Sequence, residues 1–146
     1  MPVKTCIVGA AGKMGTRISD SLRTDSTYEL FFVEGTAIGD DAIRSRGDAS
    51  CSLDVGAPDA DIVVMAVPDR LIASIATEVV PLMQSGAMLV CLDPAAPHAG
   101  LIPDRSDIAI FVCHPSHPSV FNRETDLEAR FDFFGSGKAT QSIVCA

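Results

Sequence analysis

A chain of 146 residues, 47% apolar and 21% charged, fits one α/β domain large enough to bury a proper core. Its formal net charge of −8, with no lysine or arginine patch to oppose it, excludes a nucleic-acid backbone as partner. The longest apolar stretches are strand-length, so no membrane partner is expected. Met1-Pro2-Val3-Lys4 runs straight into a strand, with no room for a signal peptide.

In chain order, residues 4–8 read as a strand, followed by Gly9-Ala10-Ala11-Gly12-Lys13-Met14-Gly15. Residues 13–23 read as a helix with Met14, Ile18 and Leu22 on one face. A strand over 28–34 ends in Glu34. A short helix over 40–46 is expected next, capped by Asp40 and stopped by Gly47. A short strand over 50–53 precedes a buried one over 61–67. Asp69 can cap the following helix, whose apolar face is Ile72, Ile75, Ala76 and Val79 and which Pro81 closes. Strands over 87–92 and 108–112 follow, and His98 between them reads as a turn residue. This alternation predicts a doubly wound, mainly parallel sheet, the Rossmann fold, over residues 1–113.

The pattern changes after Val112. His114-Pro115-Ser116-His117-Pro118 reads as a rigid loop, and residues 114–146 as that loop and its continuation. The apolar ending Ser142-Ile143-Val144-Cys145-Ala146 would leave an exposed strand edge, which implies a fragment or a second chain covering it. Cys6, Cys51, Cys91, Cys113 and Cys145 form no C-x-x-C pair and read as reduced thiols of a cytoplasmic protein. Among them Cys113 alone has a neighbouring base, His114.

The glycine segment lies between a strand and a helix, where a dinucleotide pyrophosphate is held by backbone N–H groups. Gly9 allows the tight turn, Gly12 lets the backbone approach the phosphates, and Gly15 lets the helix pack on the sheet. Ala10, Ala11 and Met14 complete the segment. Lys13 either adds charge near the pyrophosphate or is solvated. No G-K-[ST] follows, which argues against a triphosphate site. Glu34 lies 19 positions beyond Gly15, where a carboxylate takes ribose hydroxyls and repels a 2′-phosphate. The expected cofactor is therefore NAD rather than NADP. Arg44 and Arg46 are discounted as 2′-phosphate ligands because they lie on the next helix. Val67, Pro68 and Asp69 at the end of one strand, and Asp93 after the next, occupy the same sheet edge and complete the cofactor set, Asp93 either touching the nicotinamide side or bracing the turn.

His114 and His117 would sit beyond the last parallel strand, near the nicotinamide end. Oxidising an alcohol needs a group to take the hydroxyl proton while hydride leaves carbon, and histidine suits that task. Ser116 could hold the substrate oxygen. The H-x-x-H spacing also fits two metal ligands, although prolines restrict the loop and no third ligand is nearby. Surface loop histidines remain the third alternative.

With the glycine segment, Ala66-Val67-Pro68-Asp69, Leu92-Asp93-Pro94-Ala95-Ala96-Pro97, and His114-Pro115-Ser116-His117-Pro118 followed by Val120-Phe121-Asn122, the chain resembles NAD-binding oxidoreductases related to 6-phosphogluconate dehydrogenase, and among them the D-apionate oxidoisomerase-like proteins. The resemblance covers essentially the whole chain. It departs at Ala11, where a glycine is usual, and at Ser116, where a cysteine is frequent. By analogy with the His-Pro loop of prephenate dehydrogenases, it implies that His114 acts on the substrate hydroxyl. It also implies a following helical domain, absent from this chain, that completes the substrate site and a homodimer. Oxidation of a small hydroxy or sugar acid, coupled to isomerisation, would be helped by a divalent metal, with His114 as one ligand. The competing readings are a stand-alone NAD-binding sensor or partner module, and an NADPH reductase like the dihydrodipicolinate reductases. Glu34 and the His-Pro loop oppose the latter.

Overall fold

The computed structural model describes residues 1–116, 123–132, 138 and 142–146, and of Pro115, Ser116 and Ser142 the backbone alone. Its strands are β1 Val3–Val8, β2 Tyr28–Val33, β3 Ser50–Cys51, β4 Ile62–Met65, β5 Met88–Cys91, β6 Ala109–Ser116 and β7 Ser142–Cys145. The helices are α1 Lys13–Leu22, α2 Ala37–Ser45, α3 Leu53–Gly56, α4 Asp69–Val79, α5 Ala95–His98 and α6 Leu127–Arg130. Together the strands form one sheet in the order β3-β2-β1-β4-β5-β6-β7. All neighbours from β3 to β6 are parallel, and β7 is antiparallel to β6. The winding direction reverses between β1 and β4, and a crevice opens at such a reversal.

The central strands are apolar because both faces are covered. Thr5 to Val8 of β1 and Val63 to Met65 of β4 are buried, as parallel strands flanked by helices must be. One core layer joins these strands to Ile72, Ala76 and Val79 of α4; the other joins Ile7 and Phe32 to Ile43 of α2.

Several sequence expectations shift. The buried line of α1 is Gly15 and Ser19, not Met14, Ile18 and Leu22, which are half-buried. Small residues there let the helix approach the turn closely. The helix expected to be capped by Asp40 starts earlier, at Ala37, because the Thr36 side chain accepts from the Gly39 amide (3.0 Å). Asp69 is the first helical residue of α4 and not its cap; Pro68 holds the cap position. The strand expected over 50–53 stops at Cys51, and α3 follows. His98 ends the short α5.

Residues 114–116, expected in a loop, are strand: β6 runs on to Ser116. Beyond Val112 its partner is β7, because β5 ends at Cys91. Val112 and Ala146 exchange both backbone hydrogen bonds, at 2.8 and 2.9 Å. By alternation the Pro115–Ile143 pair is then a non-hydrogen-bonded one, so the missing proline N–H removes nothing from this ladder.

Candidate functional site

The carboxyl ends of β1, β2 and β4 open onto a cleft of about 870 Å³, within the range of small-molecule sites. The glycine turn forms part of its wall. Gly9 has φ +82°, and the Gly9 and Ala10 amides both donate to the Val33 carbonyl at 2.9 and 3.2 Å. A Cβ on Gly9 would stand 2.6 Å from the Ala66 carbonyl oxygen, so the turn is pressed against the end of β4. A Cβ on Gly15 would lie 2.7 Å from Ala10 Cα and closer still to the Gly9 carbonyl oxygen. Gly12 differs: its Cβ would meet only the Gly9 and Ala66 carbonyl oxygens, at 3.2 and 3.6 Å. Gly12 caps α1 with no side chain, and the first turn carries no acidic residue. That helix N-terminus fits an anionic ligand.

Glu34 reaches across from the end of β2. Its Oε2 accepts from the Ala11 amide (3.1 Å), and its Oε1 accepts from the Gly35 amide (3.0 Å) and the Thr36 hydroxyl (3.3 Å). Of the two arginines expected on the next helix, Arg44 is in α2, whereas Arg46 lies just past its end against the glycine turn, its Nε and Nη1 buried and unpartnered among the described residues. Arg44 pairs with Asp41 at 2.6 Å, and Arg46 donates through Nη2 to the Ala10 carbonyl at 3.2 Å.

Of the expected cofactor residues, Gly9, Ala11, Gly12, Glu34, Val67 and Pro68 line this cleft, and Ala10 is buried beside it. Lys13, Met14, Gly15 and Asp69 are not among its lining residues. Thr36, Ile38 and Gly39 line it and were not anticipated. The threonine three residues before Gly39 was a readable capping signal.

Asp93 stands apart, beyond β5 and beside His114. Its Oδ1 accepts from the Ala95 amide at 2.8 Å, bracing the turn into α5. Its Oδ2 lies 3.8 Å from His114 Nδ1. That same nitrogen is 3.0 Å from the Leu92 carbonyl oxygen. A carbonyl only accepts, so Nδ1 carries the hydrogen and a neutral ring keeps its lone pair on Nε2. The His114 side chain is 48% exposed, open to a reactant. Ser116 ends β6 on the same edge, and His117 lies outside the described residues. Among the described residues no three His, Cys, Asp or Glu side chains gather around a metal-sized space. None of their helices is long and apolar enough to cross a membrane.

Cys6, Cys51, Cys91 and Cys113 are not primed for attack. Burial pushes Cys6 up to about 12 and Cys91 up to about 11, with Cys51 and Asp93 as the respective neighbouring contributors. Cys113 is also raised, by burial first and then by Cys145 across the strand pair. A nucleophilic thiol requires the opposite shift.

The strand order, the glycine turn and the cleft over the reversal point define a Rossmann domain of the dinucleotide-binding class. The fold recurs in an NADH-preferring ketol-acid reductoisomerase from an uncultured archaean, TM-score 0.68 at 19% identity. The chain is 43% identical over 147 aligned positions to D-apionate oxidoisomerase of Cupriavidus necator, covering 100% of this chain and 53% of that protein. It is 40% identical to D-apionate oxidoisomerase of Rhizobium rhizogenes, over 96% of this chain and 51% of that one. A crystal structure of a semialdehyde dehydrogenase NAD-binding protein from C. necator, in complex with calcium and NAD, superposes with TM-score 0.82 at 42% identity, over 99% of this chain and 52% of that one. The resemblance read from the glycine and histidine segments is therefore borne out. The chain spans about half the length of the curated relatives it matches. No protein-family model matches it.

Proposed function

We propose that this chain is the cofactor domain of an NAD-dependent dehydrogenase that oxidises a CH–OH group of a small hydroxy or sugar acid, with isomerisation coupled to the oxidation. The observation that carries the reading is the shared sheet edge: the Glu34 carboxylate beside the glycine turn at one end, and His114 with its Nδ1 on the Leu92 carbonyl at the other. Two relatives bear the oxidoisomerase name, and the C. necator structure contains NAD.

A bound NAD supplies the hydride acceptor. The uncapped N-terminus of α1 and the side-chain-free Gly12 take the pyrophosphate, with Lys13 and Met14 in the first turn. Gly9, Ala10, Ala11 and Gly15 shape that turn. Glu34, held by its amide contacts, accepts the adenosine ribose hydroxyls, and Val67, Pro68 and Asp69 border the second ribose. Asp93 borders the nicotinamide side. His114 Nε2 takes the substrate hydroxyl proton, while the Leu92 carbonyl and the Asp93 carboxylate stabilise the resulting imidazolium. Ser116 and His117 position the substrate oxygen.

The C. necator structure also holds calcium. Here the described residues bring only Asp93 near His114, which does not make a metal site, so no step is assigned to one. The Rossmann unit runs past residue 113 to take in the whole of β6 and β7, and leads toward a helical domain that completes a cytoplasmic homodimer.

Calorimetric titration with NAD tests the binding half, and absence of a binding isotherm refutes it. For the chemistry, the protein carrying this chain is assayed with NAD and a panel of sugar acids that includes D-apionate. His114→Ala is expected to lower kcat by about 10²- to 10⁴-fold with NAD affinity unchanged. An unaltered kcat removes His114 from the mechanism.

A further inference from the structure

Gly39 is a buried glycine in the first turn of α2 whose backbone does not require glycine. No positive φ is found there; Gly9, Gly47, Gly86 and Gly100 are the glycines that have one among the described residues. Glycine inside a helix is unfavourable relative to alanine, so its presence needs another cause. That cause lies across the cleft wall. A Cβ at position 39 would stand 2.9 Å from Glu34 Oε1, and closer still to Glu34 Cγ and Cδ. The Glu34 side chain occupies the volume that any other residue at 39 would fill.

We infer that Gly39 is a specificity-determining position. By leaving that volume empty it lets the Glu34 carboxylate lie over the N-terminus of α2, where an NAD ribose is accepted and a 2′-phosphate is refused. The local hydrogen bonds are arranged for the same end. Thr36 donates its hydroxyl to Glu34 Oε1 and accepts from the Gly39 amide, so one residue ties the carboxylate to the helix end. Glu34 Oε2 meets the Ala11 amide, which fixes the carboxylate between the glycine turn and α2. The atoms that a Cβ at 39 would displace belong to a flexible side chain and not to backbone. Gly39→Ala therefore moves Glu34 and leaves the fold in place. Gly39 acts through Glu34, the side chain that a Cβ there would meet. The inference rests on the NAD reading above.

The test is calorimetric titration of the full chain with NAD and, separately, with NADP, for the unsubstituted protein, Gly39→Ala, Glu34→Ala and the double variant. Gly39→Ala is expected to melt no lower than the unsubstituted chain. It should bind NAD at least tenfold more weakly, through loss of charge-assisted hydrogen bonds from the ribose. Its NAD:NADP preference should fall by a similar factor. In the Glu34→Ala background the same substitution should change neither affinity, because its target is gone. An unchanged preference in Gly39→Ala overturns the inference, as does an equal additional loss in the Glu34→Ala background. If the unsubstituted chain binds no NAD, the cofactor reading fails, and this one with it. If it binds NAD, and Glu34→Ala alone shifts the preference, only the role of Gly39 fails.

Discussion

Replacing Gly12 by alanine separates the two tasks a glycine turn performs, folding and ligand approach. Gly12 sits at φ −65°, ψ 166°, which any residue adopts, and its new methyl would meet only the Gly9 and Ala66 carbonyl oxygens, at 3.2 and 3.6 Å. A shift of a few tenths of an ångström relieves the nearer contact. Alanine is a poorer cap than glycine, while restriction of the unfolded chain favours it by about 0.4–1 kcal/mol, so the terms nearly cancel. The net change should stay within about 1 kcal/mol, or roughly 2–4 °C in Tm. Gly9→Ala is the contrast. Its φ of +82° costs a residue with a Cβ about 1–2 kcal/mol, and the Cβ would press on the Ala66 carbonyl oxygen at 2.6 Å. A loss of about 3 kcal/mol follows, lowering Tm by roughly 6–12 °C. Thermal melts followed by circular dichroism measure both. For NAD the order reverses in significance: Gly12→Ala places a methyl where the pyrophosphate must approach and lengthens charge-assisted amide contacts, each worth about 1.5–3 kcal/mol. Affinity should fall about tenfold or more in a protein that melts normally. Retention of NAD affinity within threefold, or a melt as low as that of Gly9→Ala, refutes the assignment of Gly12 to the ligand.

Ile43→Ala removes a fully buried side chain from the layer between α2 and the sheet. It should cost about 2–5 kcal/mol by urea denaturation, since the neighbouring Ile7 and Phe32 cannot fill the space. Cys6 makes stability fall at alkaline pH. Its thiol rises from 9.0 to about 12 on folding, so the folded state holds the proton more tightly. That contribution is fully present below pH 9 and is lost as pH climbs toward 12, with Cys91 losing its own share toward about 11. Urea titrations from pH 8 upward should show the fall, and Cys6→Ala should flatten it; an unchanged slope in that variant contradicts the buried-thiol account.

The parallel sheet was legible because its strands are apolar on both faces and alternate with helical periodicity, a pattern few other folds produce. The glycine turn was legible for the same reason, since Gly9 and Gly15 are demanded by backbone approaches of under 3 Å. Other features depended on tertiary partners. The start of α2 was misplaced because Asp40 looks like a cap in isolation, whereas Thr36 already holds the Gly39 amide. The extension of β6 through Pro115 was hidden because proline argues against a strand unless its pair is known, and β7 lies 26 residues downstream in sequence. Glu34 was singled out from spacing alone, but the missing side chain at Gly39 that makes room for it belongs to no sequence pattern. Asp93 was read as a nicotinamide contact or a turn brace; its proximity to His114 required the β5–β6 register.

That register also decides what Asp93 does. In a dehydrogenase whose histidine is oriented by a carboxylate, changing the acid to its amide selects the wrong tautomer, and the comparable change in a serine protease costs about 10⁴-fold. Here the Leu92 carbonyl holds His114 Nδ1 at 3.0 Å, nearer than the carboxylate at 3.8 Å. Substitution of the Leu92 side chain leaves a backbone acceptor in place, so the tautomer is set by the sheet edge itself. Asp93→Asn should therefore remove only the attraction between a carboxylate and the imidazolium that forms during proton transfer. At this separation that is about 1 kcal/mol with water-like screening and about 4 kcal/mol with the screening typical of a protein surface. With His114 half exposed, the smaller end applies, and kcat should fall about fivefold. A 10⁴-fold loss would mean that Asp93, not the Leu92 carbonyl, selects the tautomer, and that the 3.8 Å separation closes when substrate binds.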